Sequence, residues 1–527
     1  MKINKIYKSL LAFGTITVLS VTSCTDNFEE INSSPYGVSN ETLEQDFNHV
    51  GGRIVTATQN IYSVTPAWLT QLQQNLMGDV FSGYMTPPTP FAGNVNNMTY
   101  ALVDGWNGFP WSTAYQSVMF PLATMDETAG DDFPQFVAWG KIIRVEAMHR
   151  VADIYGPIVY STFGQDPALY DSQEDVYKTF ISDLDAAIAT LKNYTDFAGF
   201  AKFDLVYGGD VTTWIQFANS LKLRLAIRMS KVDPAYAKTV GESALADATG
   251  LLADNASNFT LSESVGDHPL NTINNGWGDI RMSAEMESIL TGYDDPRLGA
   301  YFEPAADEKV NPDGLDIYKG IRMGIEIEAK DTYGAHSALT TFGGIQLMTS
   351  AEVQFLKAEA ALRGWAGAGD AKTNYEAGVT LSFLQHGVGG AVVDYLADNS
   401  STPAEFIDAV NSSNDVKTGD PNLSTITIAW EDADSDEKKL ERIITQKWIA
   451  MYPDGQEAWS EYRRTGYPKL FPVVVNNSGG KIDTDEQIKR INFPAAEATT
   501  NPEGLASGVS ALGGDDDGGT ALWWDVD

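Results

Sequence analysis

Apolar residues recurring at three- and four-residue steps constrain this chain more than any other feature. Val176, Phe180, Leu184, Ala187, Ile188 and Leu191 form one stripe, and Trp214, Phe217, Leu221 and Leu225 form a second. Leu440, Ile443, Ile444, Lys447, Trp448 and Met451 outline a third. That period is the signature of a helix with one face buried. Ser172 with Asp175 resembles a variant capping box at the start of the first stripe. Further helices are expected over about 136–154, 350–364 and 372–388. They come in pairs joined by short loops, 136–154 with 175–192 and 350–364 with 372–388. Consecutive pairs of this size suggest tetratricopeptide-like hairpins, although the consensus of that repeat is not legible.

Long non-periodic stretches separate the pairs. Residues 80–112 carry Pro87, Pro88 and Pro90 with many aromatics, 254–345 are rich in Gly, Asn, Asp and Pro, and 389–430 are polar. Loops of that length in a compact protein are usually functional or disordered. No linker divides the body into two domains.

Cys24 is the one cysteine in 527 residues, so no intramolecular disulfide can form and stability must come from the core. Lys2, Lys5 and Lys8, an apolar run from Leu10 to Leu19, and Val21-Thr22-Ser23-Cys24 read as a secretory signal. The run is too short for a spanning helix, which needs about 20 residues. Small residues ending in cysteine resemble a lipobox, which predicts lipid attachment at Cys24 and a membrane-held but otherwise soluble chain. Thr25-Asp26-Asn27-Phe28-Glu29-Glu30 resembles the acidic export tag of Bacteroidetes surface lipoproteins. The expected organisation is a signal peptide over 1–23, an acidic linker over 24–45 and one folded body over 46–527.

The net charge of −36 opposes binding to a phosphate backbone or to anionic lipid. Five histidines, His49, His149, His268, His336 and His386, show no metal-ligand spacing. His149 lies within a helical run and is expected to be a core or surface residue, not a ligand. No Gly-x-Ser-x-Gly elbow and no phosphate loop ending in Gly-Lys-Ser/Thr occurs. Acidic pairs such as Asp131-Asp132 and Asp294-Asp295 carry little weight among 71 acidic residues. Asp515 to Asp517 lack EF-hand spacing and read as a solvated turn. No cofactor and no metal is expected.

Several segments, in order, resemble the SusD/RagB family of nutrient-binding outer-membrane lipoproteins. They are Arg144-Val145-Glu146-Ala147 through Asp153-Ile154-Tyr155-Gly156-Pro157-Ile158-Val159-Tyr160, with Val159 where proline is usual. Tyr170 to Tyr177, Tyr207-Gly208-Gly209-Asp210, Trp214 to Arg224 and Asp295-Pro296-Arg297-Leu298 follow. Gln446-Lys447-Trp448, Glu457-Ala458-Trp459 and Arg463-Arg464-Thr465-Gly466-Tyr467-Pro468 complete the set. On physical grounds these motifs are mostly structural. Arg224 and Arg228 share a helix face and need an interior acidic partner or loop carbonyls. Gly156-Pro157 ends a helix.

The resemblance implies a predominantly α-helical fold with four tetratricopeptide-like hairpins as scaffold and a long-loop ligand-binding face. It also implies pairing with a TonB-dependent outer-membrane barrel of the SusC kind, for which the chain captures an oligosaccharide without breaking bonds. The expected location is the outer membrane, lipid-anchored and facing the exterior. A peptide-binding member of the family and, less favoured, a surface glycoside hydrolase are the alternatives.

Sugar recognition needs flat rings to stack on and polar groups for hydroxyls. Residues 81–111 and 274–281 mix aromatics with Asn, Asp and Arg. From them Trp277, Trp106, Tyr84, Phe91, Asn275 and Arg281 are the expected ligand contacts, with Trp277 and Trp106 first.

Overall fold

A computed structural model describes residues 45–526 apart from 263, 264, 307 and 309. Cys24, the signal and the acidic linker lie outside the described residues. The apolar stripes fold into eight long helices that follow one another as four pairs. They are α1 (Pro134–Tyr155) with α2 (Gln173–Leu191), α3 (Val211–Arg228) with α4 (Pro234–Leu245), α5 (Ser350–Leu362) with α6 (Ala371–Gln385), and α7 (Asp436–Met451) with α8 (Gly455–Thr465). The pairs stack in chain order, α2 on α3, α3 on α5 and α5 on α7. This is the tetratricopeptide-like helical architecture, in which each repeat buries its stripe against its neighbour. Each helix expected from the periodicity lies within one or two residues of an observed one, except that α6 stops at Gln385, three residues short of its expected end.

Polar side chains start these helices. Ser172 Oγ accepts from Asp175 N at 3.1 Å, Asp210 accepts from Thr212 N at 2.9 Å, and Thr349 and Asp370 accept from the third residue of α5 and α6. Each satisfies an amide that has no partner inside the helix. Gly156, at φ 89°, ends α1 just before Pro157, and Gly466, at φ 76°, ends α8. Close approach demands glycine at two contacts made by these helices. A Cβ on Gly378 of α6 would sit 2.8 Å from the Phe355 ring of α5, and one on Gly241 of α4 would sit 2.1 Å from Trp365.

The interior is apolar at the stripes and ionic at its centre. Trp214, Phe217, Leu221 and Trp448 are buried, as are Arg224, Arg228, Lys447 and Arg464. Arg224 grips Glu352 with two bonds of 2.8 and 2.7 Å and also donates to the Leu347 carbonyl. Arg228 pairs with Asp153 and Glu457, and Arg464 takes Glu359 and Glu461 at 2.7 Å. Lys447 lies 3.1 Å from Glu461. Buried charges persist only when paired and bonded on several sides. These pairs tie α1, α3, α5, α7 and α8 to one another. Burial opposes the charge on Glu457, but Arg228, Arg224 and Lys447 hold its carboxyl down at about 2. Glu146, 3.6 Å from Arg224 and 4.0 Å from Arg150, is pushed by burial up to about 8.

The chain returns to this centre after α8. Trp524 is fully buried, donates its indole N–H to Asp153 at 2.9 Å, and lies beneath Arg228 and Arg463, whose guanidinium carbons are 5.2 and 5.0 Å from its ring. Asp516 is not the freely solvated residue expected, because Arg490 and the Phe493 amide both donate to it, at 2.7 and 2.9 Å. His149 is buried and bonded to the Val145 carbonyl, which places it in the core and not on the surface.

Candidate functional site

The two loop stretches that the composition singles out meet through a ladder of two residues. β1 (Met85–Thr86) pairs antiparallel with β3 (Arg281–Met282), Met85 opposite Met282 and Thr86 opposite Arg281. This sets the 87–111 segment beside the loop that carries Trp277. A second small sheet, β2 (Phe259–Leu261) with β4 (Ile345–Met348), lies elsewhere in the 254–345 region.

Trp277 follows a single π-helical turn, Thr272–Gly276, and is 39% exposed. Its amide donates to Thr272 O and that of Asp279 to Ile273 O, each at 2.9 Å. Gly278 makes the intervening turn at φ 65°, a region that side chains disfavour. Asp279 is the clamp of the loop. Its carboxylate accepts from Thr89 at 2.7 Å, Lys330 at 2.8 Å and Gln71 at 3.3 Å, so three distant segments converge on it. Lys330 also donates to the Trp277 carbonyl at 2.5 Å. The indole is therefore presented from a backbone fixed on both sides.

Other aromatics stand on or beside segments that contact this loop. Trp68, 47% exposed, lies on the short helix Ala67–Thr70, which packs against the 272–276 turn. Its ring meets Phe109 edge to face at 5.7 Å. Phe91 and Trp106 meet in the same way at 5.8 Å, and the helix that carries Trp106, Asp104–Asn107, packs on the 71–79 turn. Edge-to-face pairs set the edge of one ring on the face of the other and so fix the two rings relative to each other. Asn275 is exposed and accepts from Asn274 at 2.8 Å, which leaves its own amide N–H groups pointing to solvent. Arg281 is half-buried and spends its guanidinium on the Ile280 and Gly334 carbonyls, at 2.6 and 2.8 Å, and burial lowers its pKa. It braces the loop more than it reaches outward.

Tyr84 is a correction. It is fully buried, packs 4.9 Å from the Trp448 ring and donates its hydroxyl to the Trp448 carbonyl. No face of it is left for a ligand. Conversely, Trp68 joins the exposed aromatics from outside both expected stretches, and Phe109, its ring partner, lies within 81–111 but is not among the contacts singled out there. Nothing in Pro66-Ala67-Trp68-Leu69 distinguishes an exposed indole from a core one.

Among the described residues no paired carboxylates with raised pKa lie on this surface. Burial lifts Glu285 to about 7 and Asp79 to about 6, but both, like Glu146, are enclosed in the interior. Among the described residues no cluster of His, Cys, Asp and Glu could hold a metal, and no helix is long and apolar enough to cross a membrane.

The family model of SusD-like proteins, the SusD and RagB outer-membrane lipoproteins, matches residues 30–525. The chain belongs to this family. SusD-like proteins are nutrient-binding lipoproteins of the outer membrane. A chitin-binding SusD homologue from Flavobacterium johnsoniae shares 46% identity and superposes with a TM-score of 0.87, covering 91% of this chain and 99% of that one. SusD homologues from Bacteroides vulgatus and Bacteroides uniformis are 38% and 37% identical, with TM-scores of 0.84 and 0.83. Each covers 91% of this chain, and 98% and 99% of its own. No curated protein matches the chain.

Proposed function

We propose that this SusD-like chain captures oligosaccharides at the surface formed by Trp277, Trp68, Trp106, Phe91 and Phe109, and passes them to a TonB-dependent barrel of the SusC kind. Acyl chains on Cys24 hold it on the outer face of the outer membrane, and it performs no bond-breaking step. The observation that carries the reading is the Trp277 loop. An exposed indole on a clamped backbone, beside the free amide of Asn275, offers a flat platform for a sugar ring and a donor for its hydroxyls. Oligomers of N-acetylglucosamine are the first ligands to try, because a relative that shares 46% identity is described as chitin-binding. Neutral glycans also suit the chain's excess of negative charge.

Calorimetric titration of the purified protein against N-acetylglucosamine oligomers, other neutral glycans and peptides tests this. Saturable heat with one glycan class, and no reducing ends released on prolonged incubation, is the expected result. Binding to peptides alone, or release of cleaved product, would replace the reading.

A further inference from the structure

A second open cleft, of about 740 Å³, lies on the far side of the Asp104–Asn107 helix from the aromatic surface. Asp104 lines it, while Trp106, two residues along the same turn, faces Phe91. Two residues along a helix point to nearly opposite sides. The cleft and the aromatic surface therefore share one thin partition. Three segments build the walls, namely residues 111–116, the loop from Val159 to Ala168, and residues 494–501.

The lining has two chemical parts. The apolar part is a ring pair, Tyr115 and Phe163, stacked with 19° between their planes and centroids 5.9 Å apart. Tyr115 is anchored through its hydroxyl to the Val159 carbonyl at 2.7 Å. Trp111 forms the base, packed between Tyr155 and Tyr170. The polar part consists of amides and carboxylates. Gln116, Gln165 and Asp166 are exposed, and their side chains make no hydrogen bond among the described residues. Glu497 is held in place by the Tyr170 hydroxyl at 2.7 Å, and Asn501 is held through the Ala168 carbonyl. Asp104, Asp166 and Glu497 contribute carboxylates, and among the described residues no lysine, arginine or histidine lines the cleft.

Stacking rings with amide and carboxylate partners suit a pyranose, whose ring has an apolar face and whose rim carries hydroxyls. Three carboxylates without a cation repel an anionic ligand and attract a cationic one. We propose that this cleft is a second sugar subsite, which continues the aromatic surface across the 104–107 helix and takes neutral and amino sugars but not acidic ones. The inference rests on the glycan reading of the aromatic surface. A long chain engages both sides of the helix, whereas a disaccharide fills only one.

The full chain is titrated with the dimer and hexamer of N-acetylglucosamine, the hexamer of glucosamine, and an oligogalacturonate of equal length. Phe163→Ala removes a half-buried ring, and Asp166→Asn removes an exposed carboxylate bonded to nothing, so both variants should melt as the wild type does. Phe163→Ala is expected to weaken the hexamer at least fivefold and leave the dimer unchanged. The glucosamine hexamer should bind more tightly than its N-acetylated counterpart, with Asp166→Asn shrinking that preference about threefold. Oligogalacturonate should not bind. Wild-type hexamer affinity in Phe163→Ala, with binding abolished in Trp277→Ala, overturns the subsite and leaves the aromatic surface standing. Oligogalacturonate bound as tightly as the neutral hexamer also overturns it. No binding of any sugar by the wild type removes the glycan reading, and the subsite with it.

Discussion

Replacing Trp277 with alanine isolates the platform from the fold. The side chain is 39% exposed. A tryptophan carries up to about 250 Å² of surface, so roughly 100 Å² of it meets solvent. A sugar ring covers one face, about half of that, and loses a similar area of its own. About 100 Å² leaves water, worth about 2.5 kcal/mol at 25 cal/mol per Å². Ordering the ligand offsets part of this, leaving about 1–2 kcal/mol, or a roughly five- to thirtyfold rise in Kd. The fold should not notice. The loop is fixed by backbone bonds from Lys330 and by the carboxylate of Asp279, and all of these survive the substitution. Surface changes of this kind usually alter stability by less than about 0.5 kcal/mol. Calorimetry with the N-acetylglucosamine hexamer gives the affinity and thermal melting checks the fold. An affinity within twofold of wild type, with unchanged melting, would refute the assignment of Trp277 as the platform.

Three further outcomes concern the interior. Arg464→Ala leaves Glu359 and Glu461 buried without their shared cation and should cost about 3–5 kcal/mol, read as a fall in the urea midpoint. Trp524→Ala empties the site between Arg228 and Arg463 and removes one of the hydrogen bonds to the Asp153 carboxylate, for about 3–5 kcal/mol by the same measurement; no shift would show that the Trp524 segment merely lies on the surface. Stability should also peak near pH 5. Glu457, held at about 2 against an ordinary 4.5, contributes stability above pH 4.5 that is lost as pH falls toward 2. Glu146, raised to about 8, is protonated in the fold while already ionised in the unfolded chain, so stability declines from pH 4.5 to 8. Glu146→Gln should flatten that alkaline decline in melting temperature, and an unaltered slope would refute it.

The helices were legible because burial imposes a 3.6-residue period that Val176 to Leu191 displays directly. The shared face of Arg224 and Arg228 was legible for the same reason. Their partners were not, because Glu352, Glu457 and Glu461 lie on other helices, more than 120 positions away in the chain. The aromatic surface was half legible. Composition pointed to 81–111 and 274–281, but the two-residue ladder of β1 and β3 and the Thr89–Asp279 bond bring them together, and a strand that short leaves no alternation to read. Tyr84 shows the limit of composition. It stands in a stretch that reads as loop, yet its partner Trp448 is 364 residues on. Trp68 shows the converse, an indole in an apolar setting that the fold turns outward.

The position of Trp524 bears on which parts of the protein can open alone. Its indole N–H serves Asp153 of α1, and its ring lies under Arg228 of α3 and Arg463 of α8. Releasing this one segment exposes buried charge on three helices at once, which is costly. The segment is thereby tied to the cooperative unfolding of the helical body and not to the local fraying of an exposed loop.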